Sequence, residues 1–320
     1  MARKALGPAT LSLVQAVEAA LTASDRSLLV ACSGGPDSLA LAQATVHVGR
    51  RRSLPIAGIV VDHQLQPSSA DQAAAAASTL RALGFSDVVV RAVSVTESGA
   101  GPEADARAAR YRALEAAAGE REATVLLGHT LDDQAETVLL GLARGSGTRS
   151  LAGMAQRSGP RGRWLRPLLG LRRSVTEQAC RENDLVPWAD PHNADPAFAR
   201  VRVRRTVLPT MEAELGPGIA EALARTAQLA REDADLLDQL AAEADPGTQI
   251  LDCAEIGGLP PALRRRLLSR WLRREGVADL TAGHLYAVDE LLTDWHGQAG
   301  VDLPGAVRVG RRAGRLVVHR

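Results

Sequence analysis

One stretch limits the fold more than any other. The apolar run Leu28-Leu29-Val30-Ala31-Cys32 ends at Ser33-Gly34-Gly35-Pro36-Asp37-Ser38, and a helical pattern begins at Leu39. A buried strand that halts at two glycines and restarts as a helix forms a cradle for an anion. Glycine lets the backbone turn tightly and come close to the ligand, and the free N–H groups at the helix start add a positive field. Ser33 and Ser38 bring hydroxyls to the same place. The loop lacks the lysine that a Walker loop sends to the β and γ phosphates; the only lysine in the chain is Lys4. Asp37 would instead repel phosphates unless Mg²⁺ lay between, an arrangement that suits a pyrophosphate leaving group and cleavage between the α and β phosphorus atoms.

Around this loop the pattern alternates. Residues 10–23 and 38–52 read as helices, 56–61 as a strand, 70–83 as a helix, 88–95 as a strand, 102–119 as a helix and 125–127 as a strand. Continuous apolar strands separated by helices predict an α/β domain with a parallel, doubly wound sheet. Ligands on such sheets bind beyond the carboxyl ends of the strands. Ser33, Asp62-His63 and Gly128-His129 are therefore expected to share one crevice.

In the helix after residue 102, Glu103, Arg107 and Arg110 share a face. After His129, Asp132 and Asp133 fall in a first helical turn, and Asp133 and Glu136 lie on one face. Such carboxylates are common caps. Beside a histidine at a strand end they fit a cation site, for Mg²⁺ or an ammonium. Leu215-Gly216-Pro217-Gly218 is a hinge by composition, followed by a long helix over 219–242 with an acidic end. The tail reads as a strand at 249–253, helices near 262–274 and 281–294, and strand-like runs at 306–309 and 315–319. The expected organisation is a catalytic domain over 1–215, then a connecting helix and a small, mainly helical domain over 216–320.

Net charge is +1, yet the arginines cluster at 144–173, 200–205, 264–274 and 308–320, which favours contact with nucleic acid over those stretches. No apolar run is long enough for a membrane span. Cys32, Cys180 and Cys253 are dispersed with no CxxC pair, so neither a zinc knuckle nor a disulfide framework is expected. A reducing cytoplasm fits. The oligomeric state is left open, with a homodimer as one alternative.

The SGGPDS run after a strand resembles the PP-loop of the N-type ATP pyrophosphatases, whose fold is that of the adenine nucleotide α-hydrolases. Glu103 to Tyr111 as E-x-x-x-R-x-x-R-Y, GHTLDDQAET from Gly128, LARGSG from Leu142, LAGM from Leu151, and the D-x-x-N-x-D run Asp190 to Asp195 before Arg200 to Arg205 resemble the tRNA(Ile)-lysidine synthases within that group. The match is specific over residues 28–210 and weaker beyond, and the additional C-terminal domain of longer members is not expected here.

The resemblance implies adenylation of the wobble cytidine of a CAU-anticodon tRNA(Ile) at its O2, then attack by free L-lysine at C2. ATP would lie on Ser33, Gly34, Gly35, Pro36, Asp37, Ser38 and His63, with Mg²⁺ at Asp37. Asp133 and Glu136 would bind lysine, and His129 would act as base or phosphate contact. Arg110 and Arg205 would stabilise phosphate charge. Arg202, Arg204, Arg264, Arg265 and Arg266 would grip tRNA. The alternatives are a tRNA thiolase or amide-forming PP-loop enzyme, which would use sulfur or glutamine, and a non-catalytic protein that binds ATP and RNA.

Overall fold

The computed structural model describes residues 5–64, 68–94, 101–145 and 147–320, without the side chains of residues 102, 103 and 192. Glu103 and Ser146 of the sequence motifs therefore lie outside what is described.

Two compact units divide the chain, residues 1–140 with 153–225 and residues 141–152 with 226–320. The first is built on strands β1 (Leu28–Ala31), β2 (Ile56–Asp62), β3 (Asp87–Ala92), β4 (Thr124–Leu127), β5 (Arg157–Ser158) and β6 (Trp164–Leu165). Their order is β3-β2-β1-β4-β6-β5, parallel except for β5. The β5–β6 hairpin is too short for a periodicity to mark it in the sequence.

β1 is buried on both faces. Leu28 and Val30 enter one core with helices α1 (Pro8–Ala20), α2 (Pro36–Arg52), α3 (Ser69–Leu83) and α7 (Arg173–Glu182). Leu29 and Ala31 enter the opposite core, against Leu114 and Ala117 of α4 (Pro102–Arg121). This two-sided burial is why the strand reads as an unbroken apolar run rather than an alternating one. From β1 the chain winds outward to β2 and β3, then returns to place β4 on the other side of β1. That reversal opens a crevice between the carboxyl ends of β1 and β4, the topological switch point.

One buried polar knot sits at the opposite end of the same strands. Asp25 accepts from Thr124 Oγ1 at 2.5 Å, from Arg157 Nη1 at 3.1 Å and Nη2 at 2.7 Å, and from the Thr22 amide at 2.8 Å. It ties the entry to β1, the start of β4 and β5 together.

In the remainder of the first unit, Ala199–Arg202 (α8) runs into a π-helical turn over Val203–Val207 and then Leu208–Leu215 (α9). Gly216 and Gly218 take φ values of +95° each, conformations that side chains with a Cβ disfavour. Glu212 caps the next helix, α10 (Ile219–Glu243), by accepting from the amides of Gly218 at 2.7 Å and Ala220 at 3.2 Å.

The second unit combines α6 (Thr148–Leu151), α11 (Cys253–Gly257), α12 (Pro261–Arg274) and α13 (Ala282–Thr293) with an antiparallel sheet of order β7-β10-β9-β8. These strands are β7 (Leu251–Asp252), β8 (Val301–Leu303), β9 (Val307–Arg312) and β10 (Arg315–His319). Helices α12 and α13 are where the sequence pattern puts them, whereas α11 follows directly on a strand expected to run through Cys253. The strand-like runs pair with each other and with two shorter strands, so the tail is a helix-and-sheet unit around Trp271, Leu267, Val288, Val309 and Leu316. No described helix is long and apolar enough to cross a membrane.

Burial alone would raise the Asp25 pKa, but the bonds from Arg157, Thr124 and Thr22 outweigh it and hold the carboxyl at about 2. Against an unfolded value near 4, this depression contributes roughly 2 kcal/mol. Because the folded value is the lower one, the contribution is complete above about pH 4 and disappears as the pH falls through about 2. Asp25→Asn should lower stability at pH 7 by roughly that amount and flatten the acid limb of a urea-denaturation series; an unchanged acid limb would refute the assignment.

Candidate active site

α2 starts at the end of β1 with Gly35 as N-cap and no side-chain cap bond, and Pro36 fills the first helical position. Its leading amides are therefore unsatisfied by protein side chains and point into the crevice. Gly34 has φ of +82°. Ser38 Oγ closes the loop on itself, donating to the Gly35 carbonyl at 2.9 Å and accepting from the Ser33 amide at 3.2 Å. Gly128, at the end of β4, lies so near that a Cβ there would sit 3.0 Å from the Asp37 carbonyl oxygen. A glycine is what allows the two strand ends to meet.

Three carboxylates converge beside this loop. Asp37 comes from the first turn of α2, and Asp133 and Glu136 come from α5 (Leu131–Ala143). Asp133 divides its oxygens between two tasks. Oδ2 accepts from the amide and hydroxyl of Thr130, both at 2.9 Å, as a helix cap. Oδ1 faces the crevice and accepts from Arg173 at 2.8 Å and Arg204 at 3.4 Å. The cap reading of this residue therefore holds, and its other oxygen is paired with two arginines. Glu136 is fully buried and is gripped by Arg204 through Nε at 2.6 Å and Nη2 at 3.0 Å, with Arg200 at 3.7 Å.

Arg173 is the hub, and the sequence motifs did not single it out. Its Nε meets Asp37 at 3.2 Å, Nη2 meets Asp133 at 2.8 Å and Nη1 meets Glu136 at 3.5 Å, while its own amide donates to Asp132 at 2.7 Å. Thr176, one turn later on α7, donates to the other Asp37 oxygen. Burial raises the Asp37 pKa in spite of Arg173 and Thr176, and the Asp133 charge adds to the rise. For Asp133 burial also acts upward, but Arg173, Thr130 and His129 together hold it below its ordinary value. Arg173 is held above its usual range because its three carboxylates outweigh the desolvation.

A cavity of about 240 Å³ opens on the other side of the loop, lined by Ser33, Val61, His63, Arg110, Trp188 and others. Trp188 is anchored to the PP-loop itself by its amide, which donates to the Gly34 carbonyl at 2.9 Å. The sequence motifs gave it no role, and its position on the cavity wall is a tertiary outcome. His63 Nδ1 is buried without a partner, and burial and the Arg110 charge lower its pKa. Arg110 is itself lowered by burial, and next to it stands Arg107, a like charge. A desolvated guanidinium that faces a cavity suits an incoming polyanion. His129 Nδ1 is likewise enclosed and unpartnered; burial, with Arg166, Arg110 and Arg107 against Asp133, pushes the ring down to about 3. It is neutral at physiological pH and so offers one N–H and one lone pair.

The arginines expected on the RNA are placed unequally. Arg204 points inward to Glu136, whereas Arg205, expected at the phosphate, is directed outward to the Ala194 carbonyl at 3.3 Å. The π-helical turn sets which of these consecutive side chains faces the crevice. Arg202 is exposed and donates to the carbonyls of Pro196 and Ala197. In the second unit Arg264 is buried at 6% exposure and paired with Asp289, a correction to its expected place on RNA, because its charge is spent inside the unit. Arg266 is paired with Asp238. The Arg265 guanidinium lies 4.5 Å over the Tyr286 ring rather than in a carboxylate pair among the described residues. The acidic end of α10 thus serves as counter-charge for part of the arginine cluster.

Cys32 and Cys180 both lie against the PP-loop, near Ser38 Oγ at 3.6 Å and the Pro36 carbonyl at 3.5 Å respectively. This places a second cysteine near the crevice, which the sequence reading did not expect. Both are buried, which raises both thiols, Cys180 to about 11, so neither carries the thiolate that sulfur chemistry requires. Among the described residues no group of three or more His, Cys, Asp or Glu could hold a metal by itself.

A family model for the PP-loop domain matches residues 9–211, and one for the TilS substrate binding domain matches residues 251–317. The chain is 54% identical to a tRNA(Ile)-lysidine synthase of Thermobifida fusca over 91% of each chain. It is 51% identical to that of Streptomyces coelicolor, over 92% of this chain and 85% of the relative. For that of Salinispora arenicola the identity is 47%, over 98% and 97%. Among solved structures, the U34-tRNA thiolase NcsA of Methanococcus maripaludis aligns with a TM-score of 0.56 at 17% identity, over 70% of this chain and 80% of that one. That likeness concerns the fold.

Arg264→Ala would strand Asp289 in the core and should cost about 3–5 kcal/mol, read as early melting of the second unit. Arg265→Ala should leave melting unchanged and weaken RNA retention with a shallower salt dependence. Equal melting of the two variants would overturn the division.

Proposed function

The chain belongs to the tRNA(Ile)-lysidine synthase family of PP-loop proteins, and on that premise we propose how its crevice carries out the reaction. It is an ATP-dependent ligase that forms a carbon–nitrogen bond between lysine and a cytidine of tRNA(Ile). The observation that carries the site assignment is the meeting of Asp37, Asp133 and Glu136 at the carboxyl ends of β1 and β4, next to the uncapped start of α2.

ATP lies with its phosphates on Ser33 to Ser38 and its nucleoside end in the cavity beside His63 and Trp188. Magnesium usually takes one or two carboxylates together with substrate phosphates rather than an all-protein cage. The donor set fits that mode, with Asp37 alone on the phosphate side. Bound there, Mg²⁺ would neutralise charge on the departing pyrophosphate.

The wobble cytidine O2 attacks the α-phosphorus, pyrophosphate leaves, and the adenylated C2 becomes open to an amine. Lysine enters with its ammonium against Asp133 and Glu136. After loss of one proton its ε-nitrogen bonds to C2, and AMP departs with the former O2. Arg110 meets phosphate charge as a preorganised donor. His129 is a phosphate contact in the nucleotide's presence, and the approach of negative phosphates restores part of its basicity. The exposed Arg202 and the half-buried Arg265 hold the tRNA, with catalysis in the first unit and RNA contact shared with the tail. The enzyme works where tRNA and ATP are, in the cytoplasm.

Incubation with α-labelled ATP, CAU-anticodon tRNA(Ile) and lysine should yield labelled AMP in a lysine-dependent way. Asp37→Ala should lower this by at least about a hundredfold while tRNA binding is retained. Label appearing as ADP, or full AMP release by the variant, would defeat the reading.

A further inference from the structure

We propose that Arg173 takes the places of both substrate cations when neither is bound and so couples lysine binding to binding of the metal–nucleotide. This rests on the assignment above of Asp37 to the metal side and of Asp133 and Glu136 to the ammonium side.

The guanidinium sends a different nitrogen to each carboxylate, at 3.2 Å to Asp37, 2.8 Å to Asp133 and 3.5 Å to Glu136. The four groups have little water to fall back on, and Glu136 none; their side chains are 17%, 20%, 11% and 0% exposed for Arg173, Asp37, Asp133 and Glu136. The Arg173 backbone is fixed at the start of α7 by its bond to Asp132, so only the side chain can yield. A guanidinium is a rigid planar fork. It cannot release Asp37 to a metal and keep the same bonds to the two carboxylates of α5.

Whichever cation arrives first therefore bears the cost of dislodging the fork. The second finds its carboxylates already freed, which is positive coupling. Charge agrees with this exchange. Arg204 stays on Glu136 and Asp133, the metal and the ammonium replace Arg173, and the displaced guanidinium is left beside an incoming triphosphate. Arg173 is in this sense a positioning residue, acting on the substrates through the carboxylates it holds.

Calorimetric titration of the intact protein with lysine tests the proposal, with and without saturating Mg²⁺ and α,β-methylene-ATP, which cannot be cleaved at the α–β bond. Wild type should bind lysine about tenfold more tightly with the nucleotide present, and lysine should tighten the nucleotide by the same factor, since coupling is reciprocal. In Arg173→Gln the factor should fall to about one, with nucleotide-free lysine binding tighter than in wild type. Arg173→Lys keeps a charge without the three-way fork and should give an intermediate factor; it decides the matter if the glutamine variant does not fold. A wild-type factor near one, or a wild-type factor retained in both variants, overturns the proposal. Glu136→Gln and Asp37→Ala report separately on the underlying assignment. If neither loses affinity for its ligand, the assignment has failed; if both do while coupling survives in the Arg173 variants, only the role of Arg173 has failed.

Discussion

Like charges do not gather out of water unaided. Three carboxylates brought within reach of one another in a half-buried crevice would each raise the others' pKa and lose their charge. Here Arg173 and Arg204 hold them, and most of the first unit's architecture serves to deliver those two guanidiniums. α7 packs along α2 and supplies Arg173 and Thr176. α8 and the π-helical turn present Arg204 to α5. The sheet order places β1 beside β4, so the acidic starts of α2 and α5 face each other across the switch point.

The two ends of the sheet differ in how their central polar groups are partnered. At the amino end of the sheet, Asp25 has every oxygen bonded and a pKa pulled down to about 2. At the carboxyl end, His63 Nδ1 and His129 Nδ1 are enclosed without partners, and Arg110 faces a cavity. Buried polar groups in proteins are normally paired. The two unpaired histidine nitrogens lie where a nucleotide and its phosphates would supply partners, whereas Arg91 Nε, Glu115 Oε2, Trp164 Nε1 and Arg166 Nε are unpaired outside that cavity's lining.

The second unit follows another economy of charge. Its arginines form a cluster by sequence, yet Arg264 neutralises Asp289 in the core, and Arg266, Arg270 and Arg274 meet Asp238 and Asp245 from the end of α10. Net basicity available to a polyanion is smaller than a count of arginines implies. Position on the helix decides it, because one face of α12 is turned to the core and the adjoining face to the acidic helix end.

The parallel sheet, the strand–glycine–helix turn at Ser33 to Ser38 and the convergence of strand ends were all legible in the chain. They depend on local periodicity, on glycine's freedom and on a general rule of open sheets. Asp37, Asp133, Glu136, His129 and Arg110 were marked by motif spacing for the same reason. Arg173 and Trp188 were not, because a side chain that completes a site from a distant helix or loop carries no local signature. Which of Arg204 and Arg205 turns inward rested on a single π-helical turn, and whether Arg264 met RNA or Asp289 rested on the packing of α12 against α13. Residue order determines the repeating backbone and its turns; which charge meets which is decided only when the elements pack, since electrostatic partners are chosen by distance in space.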